Sequence, residues 1–176
     1  MAAEILLTSV VAAILAAGAT KPTEVKLLDY TTGNDSNMST AAIKLARSPE
    51  AWQRIWKEHA VPEVDLNSGT RVFVRPSPSI PFDKVMVLAV FDGLTNPRRW
   101  ALASSKTEKD TVTLRLRPVN LSTAGLDVNL TPYTFLFLTR TNSRVVIEIP
   151  DRDTFVPIAE FPKVESKKVP AAAMGG

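Results

Sequence analysis

The sequence predicts an α+β domain, in which a mostly antiparallel β-sheet or sandwich-like body packs against one amphipathic helix. Three observations support this prediction. One helical pattern follows Ser48, residues 85–91 form a continuous apolar run, and residues 111–117 alternate between apolar and polar side chains. A single helix followed by several strand patterns, with no helices between them, favours this class over a βαβ fold.

The helix is predicted to begin after Ser48, whose hydroxyl can accept a hydrogen bond from a free backbone N–H group as an N-cap. Pro49 suits the first helical position, where no partner exists for a backbone N–H. The residues that follow place large side chains at the spacing of one helix face. That face comprises Trp52, Ile55, Trp56 and His59. We expect this face to be buried and the helix to end before Pro62.

Two of the strand patterns differ in how many faces of the strand they predict to be buried. Residues 85–91 are apolar throughout, which suits a central strand covered on both faces, and the following Asp92-Gly93 is a turn signal. Residues 111–117 alternate, which is typical of an antiparallel strand that buries only one face.

Weaker patterns complete the predicted domain. Residues 133–140 and 144–149 flank a short polar sequence and are predicted to form a hairpin. Residues 31–40 are rich in Thr, Ser, Asn and Asp, and are predicted to be a loop that leads to the helix. Further strand candidates lie at residues 24–30, 71–75 and 99–104.

The chain divides into three predicted parts. Residues 5–17 form a nearly unbroken apolar run, and Ala17-Gly18-Ala19 gives a small-x-small pattern. Residues 1–19 are therefore predicted to be a secretory signal peptide, with a membrane anchor or a buried apolar helix as alternatives. Residues 20–162 are expected to form a single β-rich domain, and residues 163–176 a flexible tail. The signal peptide implies a secreted, periplasmic or cell-envelope protein.

Composition excludes several kinds of chemistry. The chain has no cysteine, which excludes disulfides, thiol nucleophiles and Cys-ligated metals. Its net charge of +3 comes from scattered side chains, so a nucleic-acid partner is not expected. Its seven glycines form no phosphate-binding motif, and we expect no nucleotide or other cofactor.

No residue pattern predicts a catalytic or metal site. His59 is the single histidine, and its position beside an aromatic helix face favours a structural role over that of a general base. Paired carboxylates could serve a hydrolase, but each acid lies in a sequence typical of a turn or surface. The candidate acids are Asp65, Asp83, Asp92, Glu108, Asp110, Asp127, Asp151 and Asp153.

Arg98, Arg99 and Trp100 form the candidate binding site. Arginine and tryptophan are enriched where proteins bind one another, so an exposed patch of these residues would be a recognition surface. In the alternative interpretation Trp100 belongs to the core and the two arginines are solvated.

Short motifs along roughly residues 45–150 are similar to those of a known family. They are Trp52-x-x-Ile55-Trp56, Pro62-x-Val64-Asp65, Pro81-Phe82-Asp83-Lys84, residues 87–93 and Pro132-Tyr133. In this order they resemble the C-terminal domain of the PrcB protease-complex-subunit family. The resemblance implies an exported, non-catalytic β-rich module that binds or stabilises a partner. The Gly-Gly-Tyr step of that family is replaced here by Arg98-Arg99-Trp100.

The sequence thus predicts an exported, non-catalytic protein-interaction module that regulates or stabilises an extracytoplasmic partner. One alternative is a surface or envelope protein that assembles with copies of itself through an exposed strand edge or the apolar N-terminus. The other is an exported hydrolase with paired carboxylates. A protein partner or a second copy is expected, and contact with a membrane only through residues 1–19 if they are not cleaved.

Overall fold

The computed structural model describes residues 24–61, 63–64, 71–73, 76–94, 98–120 and 130–165. The predicted signal peptide lies outside these residues, as does most of the predicted tail. The elements are β1 (Leu27–Gly33), β2 (Ala42–Ala46), α1 (Pro49–His59), β3 (Glu63–Val64), β4 (Arg71–Phe73), β5 (Val85–Phe91), β6 (Arg98–Glu108), β7 (Thr111–Asn120), β8 (Tyr133–Thr139), β9 (Arg144–Asp151) and β10 (Thr154–Phe161).

Two four-stranded sheets form the body of the protein. Sheet 1 has the strand order β1-β8-β5-β2 and sheet 2 the order β10-β9-β7-β6, while β3 and β4 pair separately. The strand pairs of both sheets are antiparallel except β7 with β9, which are parallel. The predicted β-rich α+β class is therefore confirmed.

Strand β5 lies at the centre of three layers, which explains its unbroken apolar sequence. Met86, Leu88 and Val90 belong to a core between the two sheets. The alternate side chains, such as Val87 and Phe91, belong to a second core between sheet 1 and α1. Because the strand is covered on both faces, every position from Met86 to Phe91 is buried, as the sequence predicts.

Helix α1 begins and packs as predicted. The N–H group of Ala51 donates to the Ser48 side chain at 3.3 Å, and Pro49 occupies the first turn. Trp52 is buried against Phe135 of sheet 1, with ring centroids 5.1 Å apart. The helix therefore covers one face of sheet 1 with its aromatic side. No helix among the described residues has the length and apolar character needed to cross a membrane.

The predicted hairpin of residues 133–140 and 144–149 is wrong. Both strands form, but β8 lies in sheet 1 and β9 in sheet 2, where β9 pairs with β7 and β10. The polar residues between them carry the chain from one sheet to the other. Leu138 of β8 and Val145 of β9 consequently enter the same core from opposite sides, an arrangement that local turn signals cannot distinguish from a hairpin.

Three strands were not predicted, namely β2, β3 and β10. Strand β2 forms the edge of sheet 1 within the segment between the predicted loop and α1, and β10 forms the edge of sheet 2. Strand β10 contains Pro157, and its register shifts between Pro157 and Ala159. Edge strands tolerate proline and bulges because one side of their backbone needs no partner, so their sequences show weaker strand patterns.

Candidate functional site

A groove opens between the edge strands β1 and β6, where the two sheets of the sandwich separate. Its volume is about 440 Å³, within the range typical of ligand-binding sites. The Ser105 hydroxyl on β6 donates to the carbonyl of Val25 at 2.6 Å and joins the two sheets beside it. The lining residues are Leu27, Tyr30, Thr32, Arg99, Trp100, Ala101, Leu102, Arg117, Val119 and Leu136. We call this feature the β1–β6 groove.

Exposed apolar side chains form much of the groove. Tyr30 is 62% exposed, and Leu27 and Val119 are also exposed. In the β1–β8 pair Tyr30 lies opposite Leu136, a core residue, so both side chains point to the same side of sheet 1. The strand pairing thereby directs a large side chain of the edge strand towards the opening between the sheets.

Two arginines supply the charge of the groove, and neither has a carboxylate partner among the described residues. The Arg99 guanidinium donates to the Asn34 side-chain oxygen at 3.2 Å, and its Nε atom is buried without a hydrogen-bond partner. Arg117 is exposed on β7. None of the described residues that line the groove is acidic, so the described part of the lining is cationic.

A buried carboxylate holds the start of β6 in place. Asp92 accepts from the Arg98 backbone N–H at 3.1 Å, from Arg98 Nε at 3.2 Å and from the Trp100 indole N–H at 3.3 Å. The Trp100 backbone N–H donates to Thr134 Oγ1 at 3.1 Å. These bonds join the end of β5, the start of β6 and β8, and fix the Trp100 ring at the base of the groove.

The structure separates the three residues of the predicted binding site. Trp100 is 7% exposed and belongs to the core, although it also lines the groove. Arg98 is bound to Asp92, and its guanidinium lies 5.3 Å from the Trp100 ring centroid. Arg99 alone of the three has a groove position and no charged partner within the described part of the chain.

Sequence reasoning did not find the other residues of the groove. Tyr30, Leu27, Arg117 and Val119 are distant from Arg99 along the chain, and only strand pairing brings them together. Val119 lies opposite Arg99 in the β6–β7 pair. The exposure of the apolar side chains of β1 follows from its position at the edge of sheet 1, which the sequence does not reveal.

A second cavity of about 320 Å³ lies on the other side of Trp100, between β2 and β10. Its walls are apolar apart from Asp92, and include Ile43, Ile149 and Ile158. Since the Asp92 oxygens already accept hydrogen bonds from Arg98 and Trp100, this cavity offers a ligand little polar contact.

His59 is hydrogen-bonded to a hydroxyl group, the pairing that activates a serine nucleophile in many enzymes. Its Nδ1 atom lies 3.0 Å from Ser36 Oγ. However, Ser36 is 4% exposed, His59 is 6% exposed, and the Ser36 oxygen also accepts from the Met38 N–H at 3.1 Å. The hydroxyl is therefore enclosed, and the bond joins the loop after β1 to the end of α1.

The surroundings of His59 keep its ring neutral. Burial lowers the pKa of His59 from 6.5 to about 4, while the negative charge of Asp35 acts in the opposite direction. The ring packs against Tyr133 and Phe135, with centroids 4.3 and 4.9 Å away. A general base works best with a pKa near the operating pH, so these surroundings favour a structural role.

The candidate acids do not come together among the described residues. Asp92 is the buried carboxylate of this part of the chain, and Asp83, Glu108, Asp110, Asp151 and Asp153 are exposed. Asp65 and Asp127 lie outside the described residues. Asp110 and Asp153 lie in the tight turns of two hairpins, where Lys109 and Arg152 have positive φ angles of 51° and 52°. The described residues contain no group of three or more potential metal ligands.

Comparisons with known proteins found no match: no protein-family model, no curated protein and no solved structure matches the chain.

Proposed function

We propose that the chain is an exported, non-catalytic protein-interaction module whose partner binds in the β1–β6 groove. The observation behind this proposal is the composition of the groove, where exposed apolar side chains adjoin two arginines that pair with no carboxylate of the described residues. Tyrosine, tryptophan and arginine are enriched among the residues that contribute most to binding between proteins, and the groove lining contains all three.

Other features of the described residues are consistent with this proposal. The Asp92 and His59 side chains, which could take part in catalysis, are buried and engaged in contacts that hold the fold together. The groove lies on edge strands supported by two packed cores, so its side chains are held on a rigid frame. The resemblance to the PrcB C-terminal domain also implies a partner-binding module, and the apolar run at residues 5–17 predicts export.

Site-specific photocrosslinking tests this function. Benzoylphenylalanine replaces Tyr30 in the groove in one variant, and Phe155 in a matched variant. Phe155 is also partly exposed but does not line the groove. Each variant is irradiated with the secreted and envelope proteins of the source cells, and adducts are identified by mass spectrometry.

The expected result is an adduct with one defined protein at position 30 that excess unlabelled wild-type chain abolishes, and no such adduct at position 155. An adduct with the mass of a second copy of the chain would instead support the self-assembling alternative. Equal labelling at the two positions, or no adduct at position 30, would contradict the proposal.

A further inference from the structure

We infer that the β1–β6 groove recognises an acidic protein segment, in which a carboxylate side chain is flanked by aliphatic or aromatic residues, and that Arg99 and Arg117 bind the carboxylate. This inference rests on the proposed function, because it names the partner chemistry of the same groove.

The distribution of charge supports an anionic partner. The arginines at positions 98, 115 and 144 each form an ion pair with a carboxylate of the chain. Arg99 and Arg117 form none among the described residues, although both line the groove. Arg99 is half-buried and Arg117 is exposed, so a ligand carboxylate can accept from their guanidinium groups in the groove, where no carboxylate of the described residues does so.

Arginine is suited to this role because its planar guanidinium can donate two parallel hydrogen bonds to one carboxylate. The Asn34 side-chain oxygen accepts one Arg99 N–H and thereby orients the group. The exposed side chains of Leu27, Tyr30 and Val119 lie in the same groove, and provide contacts for apolar residues on either side of the acid.

The edges of the groove favour recognition through side chains over the addition of a strand. The register of β1 shifts between Leu27 and Asp29, and that of β6 shifts between Leu102 and Ser104. Such bulges interrupt the regular row of backbone groups that an added strand would need. The Tyr30 N–H also donates to the Asp29 carboxylate at 2.8 Å, so this backbone donor is already occupied.

A random dodecapeptide library displayed on phage tests the inference with a defined probe. Selection is carried out on the wild-type chain, on Arg99→Gln/Arg117→Gln and on the matched control Arg115→Gln/Arg144→Gln. Both variants lose two positive charges, but the control changes arginines that already pair with Glu148 and Glu160. Selected peptides are resynthesised, and their affinities are measured by calorimetry at low and high salt.

The expected result is enrichment of peptides with Asp or Glu beside apolar residues on the wild-type and control chains. The affinity of these peptides should fall about tenfold or more for the groove variant Arg99→Gln/Arg117→Gln. Peptides in which Asn or Gln replaces each Asp or Glu should bind the wild-type chain more weakly by a similar factor. If the double variant does not fold, Arg117→Gln alone provides the test. Arg117 is exposed, so this variant should fold and should also bind the selected peptides more weakly than the wild type.

The two other outcomes separate the inference from the proposed function. Peptides that lack acids but lose binding when Tyr30 is changed to Glu would overturn the acidic partner and leave the groove as the binding site. Enrichment of no peptide above that seen on an unrelated protein would contradict both.

Discussion

Lowering the pH from about 8 to about 5 is expected to destabilise the folded chain through one side chain, His59. Burial lowers the pKa of this ring from 6.5 to about 4, so at intermediate pH the unfolded chain is protonated there and the folded chain is not. The unfolded state then binds more protons, and the free energy of unfolding falls as the pH falls. The stabilisation is complete above pH 6.5 and is lost as the pH approaches about 4.

The magnitude follows from the width of this interval. Each pH unit between the two pKa values changes the free energy of unfolding by up to about 1.4 kcal/mol. From the ordinary pKa down to about pH 5 the loss is about 2 kcal/mol. Allowing for residual contact of the ring with water reduces it to about 1 to 2 kcal/mol.

Urea unfolding followed by tryptophan fluorescence measures this effect at a series of pH values from about 8 to about 5. The chain has no other histidine, and no other kind of side chain ordinarily titrates in this range. The control is His59→Gln, whose free energy of unfolding should be lower at about pH 8 but nearly independent of pH. Equal slopes in the wild type and the variant, or a flat curve for the wild type, would refute the reasoning.

Three further substitutions test the packing of the fold by equilibrium unfolding. Leu88→Ala should lower the free energy of unfolding by about 2 to 5 kcal/mol, because Leu88 is fully buried in the core between the sheets. Leu28→Ala, at an exposed position of β1, should lower it by less than about 0.5 kcal/mol. Comparable losses for the two variants would mean that this core is absent. Ser48→Ala should lower the free energy of unfolding by about 1 kcal/mol through loss of the N-cap hydrogen bond. Ser48→Asp keeps an acceptor at this position and should retain most of the wild-type stability. If Ser48→Asp is as unstable as Ser48→Ala, the N-cap does not stabilise the helix. Asp92→Ala should lower the free energy of unfolding by about 2 kcal/mol or more, because the Arg98 guanidinium and the Trp100 indole N–H lose their acceptor. The control Asp83→Ala, at an exposed position, should change it little. If Asp92→Ala also has little effect, the carboxylate does not hold β6.

Elements with strong local signals could be predicted from the sequence. Ser48 and Pro49 mark the start of α1 because capping depends on residues within one turn. Strand β5 agrees with its predicted bounds because burial on both faces requires an apolar residue at each position. The alternation over residues 111–117 likewise identifies β7, which buries Val112, Leu114 and Leu116.

The candidate site was predicted only in part, because it depends on contacts with residues that are distant in the sequence. Arg98, Arg99 and Trp100 are adjacent in the chain, but their environments are set by distant groups. Asp92 binds Arg98 and Trp100, while Arg99 meets Asn34 and the β1–β6 groove. No feature within the tripeptide indicates which of its members is buried, paired or free.

The sequence by itself determined that this protein is β-rich, has one capped amphipathic helix and lacks thiol chemistry, because these properties depend on composition, periodicity and near neighbours. Only the tertiary structure decided that β8 and β9 belong to different sheets, that β1 and β6 are edges, and that Tyr30, Arg99 and Arg117 share a groove. Strand partners are chosen by burial of whole faces against distant segments, so the pairing is a property of the complete core and cannot be read from any one stretch of chain.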